Sequence, residues 1–173
     1  LQLKLINKNI VVKQIRGNID TRIKKLDENL YDGIVLALAG IKNLNLEKNV
    51  KEIFSLDDVI PSAGQGVIAA QCRKEDEKIK EILKKINNSE TKQCAIAERS
   101  LLKTIGGNCD TAVGTLAIVI GDEIKLSAQL FSDSGDEAFF YELKGKKEDA
   151  IKIGITVGNV LLKKAGSKFK KKL

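Results

Sequence analysis

A chain of 173 residues with 43% hydrophobic side chains can bury a core, as one domain or as two small ones. The net charge of +7 invites a nucleic-acid reading, but six lysines (Lys163, Lys164, Lys168, Lys170, Lys171 and Lys172) crowd the last eleven residues, and the remainder is close to neutral. With no Trp, two Tyr and five Phe there is little to stack on bases, and the tail reads as a solvated, mobile end.

Other absences narrow the chemistry further. No histidine is present, which removes imidazole-based nucleophile activation and imidazole metal sites. The cysteines at 72, 94 and 109 form no C-x-x-C pair, so a zinc site is not expected and metal ligands are predicted to be none. An odd number of thiols with no export signal fits a reducing, cytoplasmic setting. No apolar run reaches the roughly 20 residues of a membrane span, so no membrane partner is expected. The first residues, Leu1-Gln2-Leu3-Lys4, lack an initiator Met and a signal-peptide layout, which predicts that the chain begins inside a longer protein.

In chain order, Ile10 to Ile15 is a β-branched run and predicts a strand. Arg16-Gly17-Asn18 ends it. Ile19, Ile23, Leu26 and Leu30 then recur at helical spacing, with Asn18 as N-cap. Gly33 to Leu38 predicts a second strand covered on both faces, so that residues 10–38 form a βαβ unit. Ala39-Gly40 closes that strand, and Ile41 to Leu46 reads as a short helix. The only proline opens Pro61-Ser62-Ala63-Gly64-Gln65-Gly66, a hinge or crossover. Val67 to Cys72 predicts a third strand and Glu75 to Ile86 a charged amphipathic helix.

After Asn87-Asn88-Ser89, a helix from Glu90 to Ile105 places Cys94, Ala97, Leu101 and Ile105 on one stripe, and Gly106-Gly107 caps it. Three strands follow, at 113–120, 123–131 and 137–143. Gly121-Asp122 and Asp133-Ser134-Gly135-Asp136 are turns of hairpin quality, so this sheet is antiparallel. A helix from Lys147 to Lys164 covers one face. The fold class is therefore α/β followed by a small α+β domain with a three-stranded antiparallel sheet.

Three places could carry chemistry. Arg16 and Arg22 belong to only four arginines, against 26 lysines, and they flank the start of a helix, where backbone N–H groups favour anions. They either bind a carboxylate or phosphate, or they pair with Asp20 or Asp27 at the surface. Cys109 follows two glycines in a loop; it is either an accessible nucleophilic thiol or an incidental loop cysteine. Cys94 and Cys72 read as small core residues. Pro61 to Gly66 is either a ligand-approaching loop with Gln65 as a polar contact or a plain linker.

Taken in order, these motifs resemble the porphobilinogen deaminase family. The matching stretches are Arg16-Gly17-Asn18-Ile19-Asp20-Thr21-Arg22 with Lys25-Leu26-Asp27, Tyr31-Asp32-Gly33-Ile34 through Ala39-Gly40, and Ile60 to Gly66. Cys72-Arg73, Ala97-Glu98-Arg99 and Gly106-Gly107-Asn108-Cys109 complete the set. The resemblance implies a transferase that joins four porphobilinogens into hydroxymethylbilane with release of ammonia, in tetrapyrrole biosynthesis. It also implies a dipyrromethane cofactor, thioether-linked to Cys109, and Arg16 and Arg22 holding its carboxylates, with Ala37, Gly40 and Gln65 lining the same cleft.

The resemblance further implies a two-lobed, periplasmic-binding-protein-like α/β region ahead of the C-terminal domain. Residues 1–60 would be part of its second domain. Residues 61–87 would be a hinge and a segment returning to a missing first domain, and 88–173 the C-terminal domain. The family's catalytic aspartate would lie upstream, so that no catalytic residue falls in this chain and the chain alone is expected to be inactive. Expected partners are porphobilinogen and the missing N-terminal domain of the same protein, with no nucleic acid, in a monomer. Asn43 stands where a basic residue is expected, which would lower the charge of the cleft. The rivals are a non-catalytic anion-binding module, which needs Arg16 and Arg22 but not Cys109, and a basic nucleic-acid-binding domain that would lose salt-sensitive binding with its tail.

Overall fold

The computed structural model describes residues 1–108 and 110–170. The chain divides into two compact units, Gln2–Asp58 and Val59 to the C-terminus, with Leu1 joining the second.

The first unit is helical. It holds α1 (Gln2–Ile6), α2 (Ile19–Asp27), α3 (Leu38–Asn43) and a 3-10 turn at Glu47–Asn49. Asn18 caps α2 as its side chain predicts, accepting from the Thr21 N–H at 2.9 Å. Ile41 of α3 is buried. Gly40 lies against Ile19: a methyl group added there would sit 2.6 Å from the Ile19 side chain. Helix α3 thus begins at Leu38 and takes in Ala39 and Gly40, which the sequence places in a turn.

The two predicted strands of this unit are not formed. Residues 10–15 and 33–37 belong to no ladder, and Val11, Val12 and Val35 are exposed. The same holds for residues 67–72, where Ile68 is 98% exposed. Apolar β-branched runs favour extended backbone, but a strand needs a neighbour to take its N–H and C=O groups. None of these runs has one among the described residues, so the predicted βαβ unit is absent.

The second unit contains α4 (Glu77–Ile86), α5 (Ser89–Thr104), β1 (Val113–Ile120), β2 (Glu123–Phe131), β3 (Ala138–Lys146) and α6 (Ala150–Ala165). The sheet has the order β1-β2-β3, antiparallel throughout, with Ile120 opposite Glu123 across the Gly121-Asp122 turn and Phe131 opposite Ala138. Ile124, Leu126, Ala128 and Leu130 of β2 point to one face. There they meet Ala97, Leu101 and Ile105 of the α5 segment and Ile153, Val157 and Leu161 of α6, in one core of almost fully buried side chains. Cys94 packs against this cluster half-buried, whereas Cys72 sits in a shallow surface hollow with Gln71, Arg73, Asp76 and Ile79 and is not core.

Two glycines bring α5 and α6 together. A methyl group at Gly154 would lie 2.3 Å from the Ala97 carbonyl oxygen, and one at Gly158 would lie 2.8 Å from Thr104 Cβ. The tail after α6 is docked rather than free, as far as Lys170. Phe169 is buried, the Asp133 N–H donates to the Lys168 carbonyl, the Lys170 N–H donates to Asp133 Oδ2, and Lys168 pairs with Glu137 at 2.7 Å. The mobile end expected from composition does not form there, because one aromatic side chain and two backbone bonds hold it. Lys171 and Lys172 lie outside the described residues. No helix is long and apolar enough to cross a membrane.

Gly154→Ala should overpack the α5–α6 contact and lower stability by about 1–3 kcal/mol. Urea unfolding followed by circular dichroism measures this, and an unchanged midpoint would show that the helices can part at no cost.

Candidate functional site

In the first unit, side chains from α2 and just beyond it lace the preceding loop. The Arg22 Nε donates to the Gly17 carbonyl at 2.8 Å, Lys25 Nζ to the Arg16 carbonyl at 2.9 Å, and the Tyr31 hydroxyl to the Gln14 carbonyl at 3.2 Å. Gly17 has φ +124, and a side chain there would strike Thr21, so the Arg16-Gly17-Asn18 turn needs glycine. Lys25 and Tyr31 are loop anchors that composition and spacing alone did not single out; both fall within the family-like stretches.

Arg16 is exposed and Arg22 half-buried, and neither forms an ion pair with Asp20 or Asp27. The surface-pairing alternative is therefore not what the structure shows. One face of Arg22 is spent on Gly17, which fixes the guanidinium and leaves its terminal nitrogens as donors. Ala37 precedes α3 and offers no side-chain cap, and Gly40 in the first turn of α3 contacts Ile19. The starts of α2 and α3 are adjacent in this way.

The second unit holds Gln65. Pro61 to Gly66 makes two successive turns, closed by Gln65 N–H to Ser62 O at 3.0 Å and Val67 N–H to Gly64 O at 3.1 Å. Gly64 (φ +71) and Gly66 (φ +80) each take the third position, which is the type II pattern and explains both glycines. The Ser62 hydroxyl donates to Gln65 Oε1 at 3.3 Å. That leaves the exposed carboxamide NH2 as a donor, which suits a carboxylate.

This loop is pinned from below. Glu98 on α5 is 6% exposed, and its two oxygens accept from different segments: Oε2 from the Gly64 N–H at 2.7 Å and Oε1 from the Ala117 N–H at 2.8 Å. The Thr115 N–H adds a bond to the Pro61 carbonyl at 2.8 Å. Burial pushes the Glu98 carboxyl above the usual range, and the two N–H bonds pull it back only in part. The thiol of Cys94, one turn earlier on α5, is raised as well, by burial first and by Glu98 second.

Cys109 lies outside the described residues. Helix α5 before it ends in a Schellman motif: Gly106 has φ +66, its N–H bonds to Lys103 O, and the Gly107 N–H bonds to Leu102 O at 2.8 Å. A side chain at Gly107 would strike Leu102. Asn108 and Thr111 then close a short loop, with the Asp110 N–H donating to Asn108 Oδ1 and the Asn108 N–H to Thr111 Oγ1, both at 2.9 Å.

The first unit thus offers Arg22, fixed on Gly17, and an exposed Arg16, neither with an acidic partner among the described residues, and the second unit separately offers the exposed Gln65 amide. Residues 1–81 match the family described as porphobilinogen deaminase, dipyromethane cofactor binding domain, and residues 92–163 match porphobilinogen deaminase, C-terminal domain. Porphobilinogen deaminases of the Coxiella burnetii strains Dugway and Nine Mile phase I are 37% identical over 172 residues, covering 99% of this chain. The chain belongs to the porphobilinogen deaminase family. It spans 56% of the length of those relatives.

A pH dependence follows from Glu98. Its carboxyl holds a proton more tightly when folded than when unfolded, so its stabilising contribution is fully present below the unfolded Glu range and is lost as pH rises through the folded value. Acidification from pH 7 toward about 5 should therefore raise the stability of wild type relative to Glu98→Gln, which does not titrate. Urea unfolding at both pH values tests this; a pH-independent difference would contradict it.

Proposed function

We propose that this chain is the primer-holding part of a porphobilinogen deaminase, a transferase of tetrapyrrole biosynthesis that condenses four porphobilinogens into hydroxymethylbilane and releases ammonia. The observation that carries the reading is the pair Arg16 and Arg22 at one helix start, Arg22 held on Gly17 and neither with an acidic partner among the described residues. Each porphobilinogen unit carries two carboxylates, so a growing chain gathers negative charge that fixed guanidinium groups can neutralise.

The donor set fits a dipyrromethane, which is itself a polycarboxylate. On this reading Cys109 attaches it by a thioether, Arg16 and Arg22 bind its acetate and propionate groups, and Ala37, Gly40 and Gln65 line the same cleft. When bound, the cofactor supplies the end to which new units are joined. The chain's own residues bind and orient: Arg22 through a guanidinium already fixed on Gly17, Gln65 through an amide already fixed on Ser62. Asn43 adds no charge. The acid–base carboxylate is assigned to no residue of this chain.

The remaining parts of the reading follow the family. Residues 1–60 serve as part of the second domain of a two-lobed, periplasmic-binding-protein-like region. Residues 61–87 serve as the hinge and a segment reaching the first domain, and 88–173 as the C-terminal domain. The enzyme works as a cytoplasmic monomer without nucleic acid or membrane.

The decisive test is the intact mass of the protein purified from its own cells. It should exceed the polypeptide mass by one dipyrromethane, and Cys109→Ala should abolish the excess. An unmodified mass would leave an anion-binding module and overturn the enzyme reading. In the loaded protein, Arg16→Leu should weaken porphobilinogen binding by one lost charge-assisted contact, about 1.5–3 kcal/mol or tenfold and more in KM. An unchanged KM would remove Arg16 from the site.

A further inference from the structure

We propose that Glu98 is the positioning residue of the Ser62–Gly66 loop, acting on the anionic ligand only through Gln65. The inference deepens the reading above and rests on it for the identity of the ligand.

Glu98 is an unusual residue to find on the face of α5 that carries the core. Its helix neighbours Ala97 and Leu101 are wholly buried, and Glu98 itself is 6% exposed. No cation pairs with it among the described residues. Burying a carboxylate costs stability, so packing within this unit does not explain it.

What it does have is two backbone N–H donors, from Gly64 and Ala117, one on each oxygen. Those donors belong to two different segments, a glycine turn and a central position of β1. A carboxylate is the side chain of this length that accepts from both at once. An amide has one acceptor oxygen and would turn its NH2 group toward the second N–H.

The geometry then passes to Gln65. Gly64 is its immediate neighbour and the third residue of the first turn, and Gln65 N–H closes that turn on Ser62. Ser62 in turn holds Gln65 Oε1. Fixing Gly64 on Glu98, with Pro61 fixed on Thr115, therefore fixes the direction in which the Gln65 NH2 group is presented. A loop otherwise rich in glycine would sample many orientations, and a ligand would have to order it on binding.

Three measurements on the full protein test this. The first needs no variant: the Gly64 amide, in an exposed loop, should exchange with solvent about a hundredfold more slowly than an unprotected loop amide, and rapid exchange would overturn the proposal. The second is the same exchange in Glu98→Gln, where protection at Gly64 or Ala117 should fall while α6 amides keep theirs; retained protection at both would overturn it.

The third is a cycle of Glu98→Gln, Gln65→Ala and the double variant, read as KM and kcat for porphobilinogen. Each single change should raise KM about tenfold with kcat within about twofold, and the double change should do no more than the larger single one. Multiplying effects, or lost protection with an unchanged KM, would make Glu98 a structural residue only. A protein purified from its own cells that consumes no porphobilinogen would sink the enzyme reading and this role together, whereas such a protein, active and unaffected by Glu98→Gln, would sink this role alone.

Discussion

Helix α5 can lie against α6 as it does only because positions 154 and 158 carry no side chain. The Ala97 carbonyl would be 2.3 Å from any Cβ at 154, well inside contact distance. That close approach seals the core between the two helices and the sheet, with Leu101, Val157 and Leu161 fully buried. It also fixes where the other faces of α5 point. Glu98, at the border of the buried face, comes to lie beneath the Pro61–Gly66 loop, and the C-terminal end delivers the Schellman turn that leads to Asn108. The site elements of this unit therefore inherit their positions from a helix–helix contact that touches no ligand.

What could be read in the sequence follows from how local each interaction is. The β1-β2-β3 sheet was legible because Gly121-Asp122 and the Ser132–Glu137 segment join neighbouring strands, and the alternation along β2 marks one buried face. Helix α5 was legible from the Ala97-Leu101-Ile105 spacing and its glycine stop, whereas its Asn88 cap was read only as a chain break. The runs at 10–15, 33–38 and 67–72 were misread for the opposite reason. Their composition reports extended backbone, but the ladder that would make them strands depends on neighbours that composition cannot supply. The tail was misread because a run of lysines outweighs a single Phe169 in any average, while burial is decided by the one side chain.

The candidate site divides along the same line. Asn18, Arg16 and Arg22 could be found from a helix start with two scarce arginines beside it. Whether they pair with Asp20 or Asp27 is a matter of side-chain geometry, and only coordinates answer it. Glu98 gave almost no signal of its own: an acid next to Arg99 on an amphipathic helix reads as solvent-facing. Its partners are backbone N–H groups, which every residue has, and they lie 34 and 19 residues away. The Ala97-Glu98-Arg99 stretch stood out only as a family-like motif.

The ion pairs use a minority of the cations. Lysines at 24, 80, 84, 125, 147 and 168 each meet a carboxylate, as does Arg73. These are surface pairs of small energetic value, screened by salt, and each uses one acid for one base, so the excess of +7 remains. Arg16 and Arg22, like Arg99 and most lysines, form no such pair among the described residues, although Asp20 and Asp27 are near in sequence. A guanidinium that bonds its own loop carbonyl, as Arg22 does with Gly17, gives up freedom without gaining neutralisation. That arrangement makes sense where the missing negative charge arrives with the ligand, since a donor already fixed in direction loses less entropy when it binds. Gln65, tethered on Ser62 above a carboxylate-pinned glycine, repeats the same device without charge.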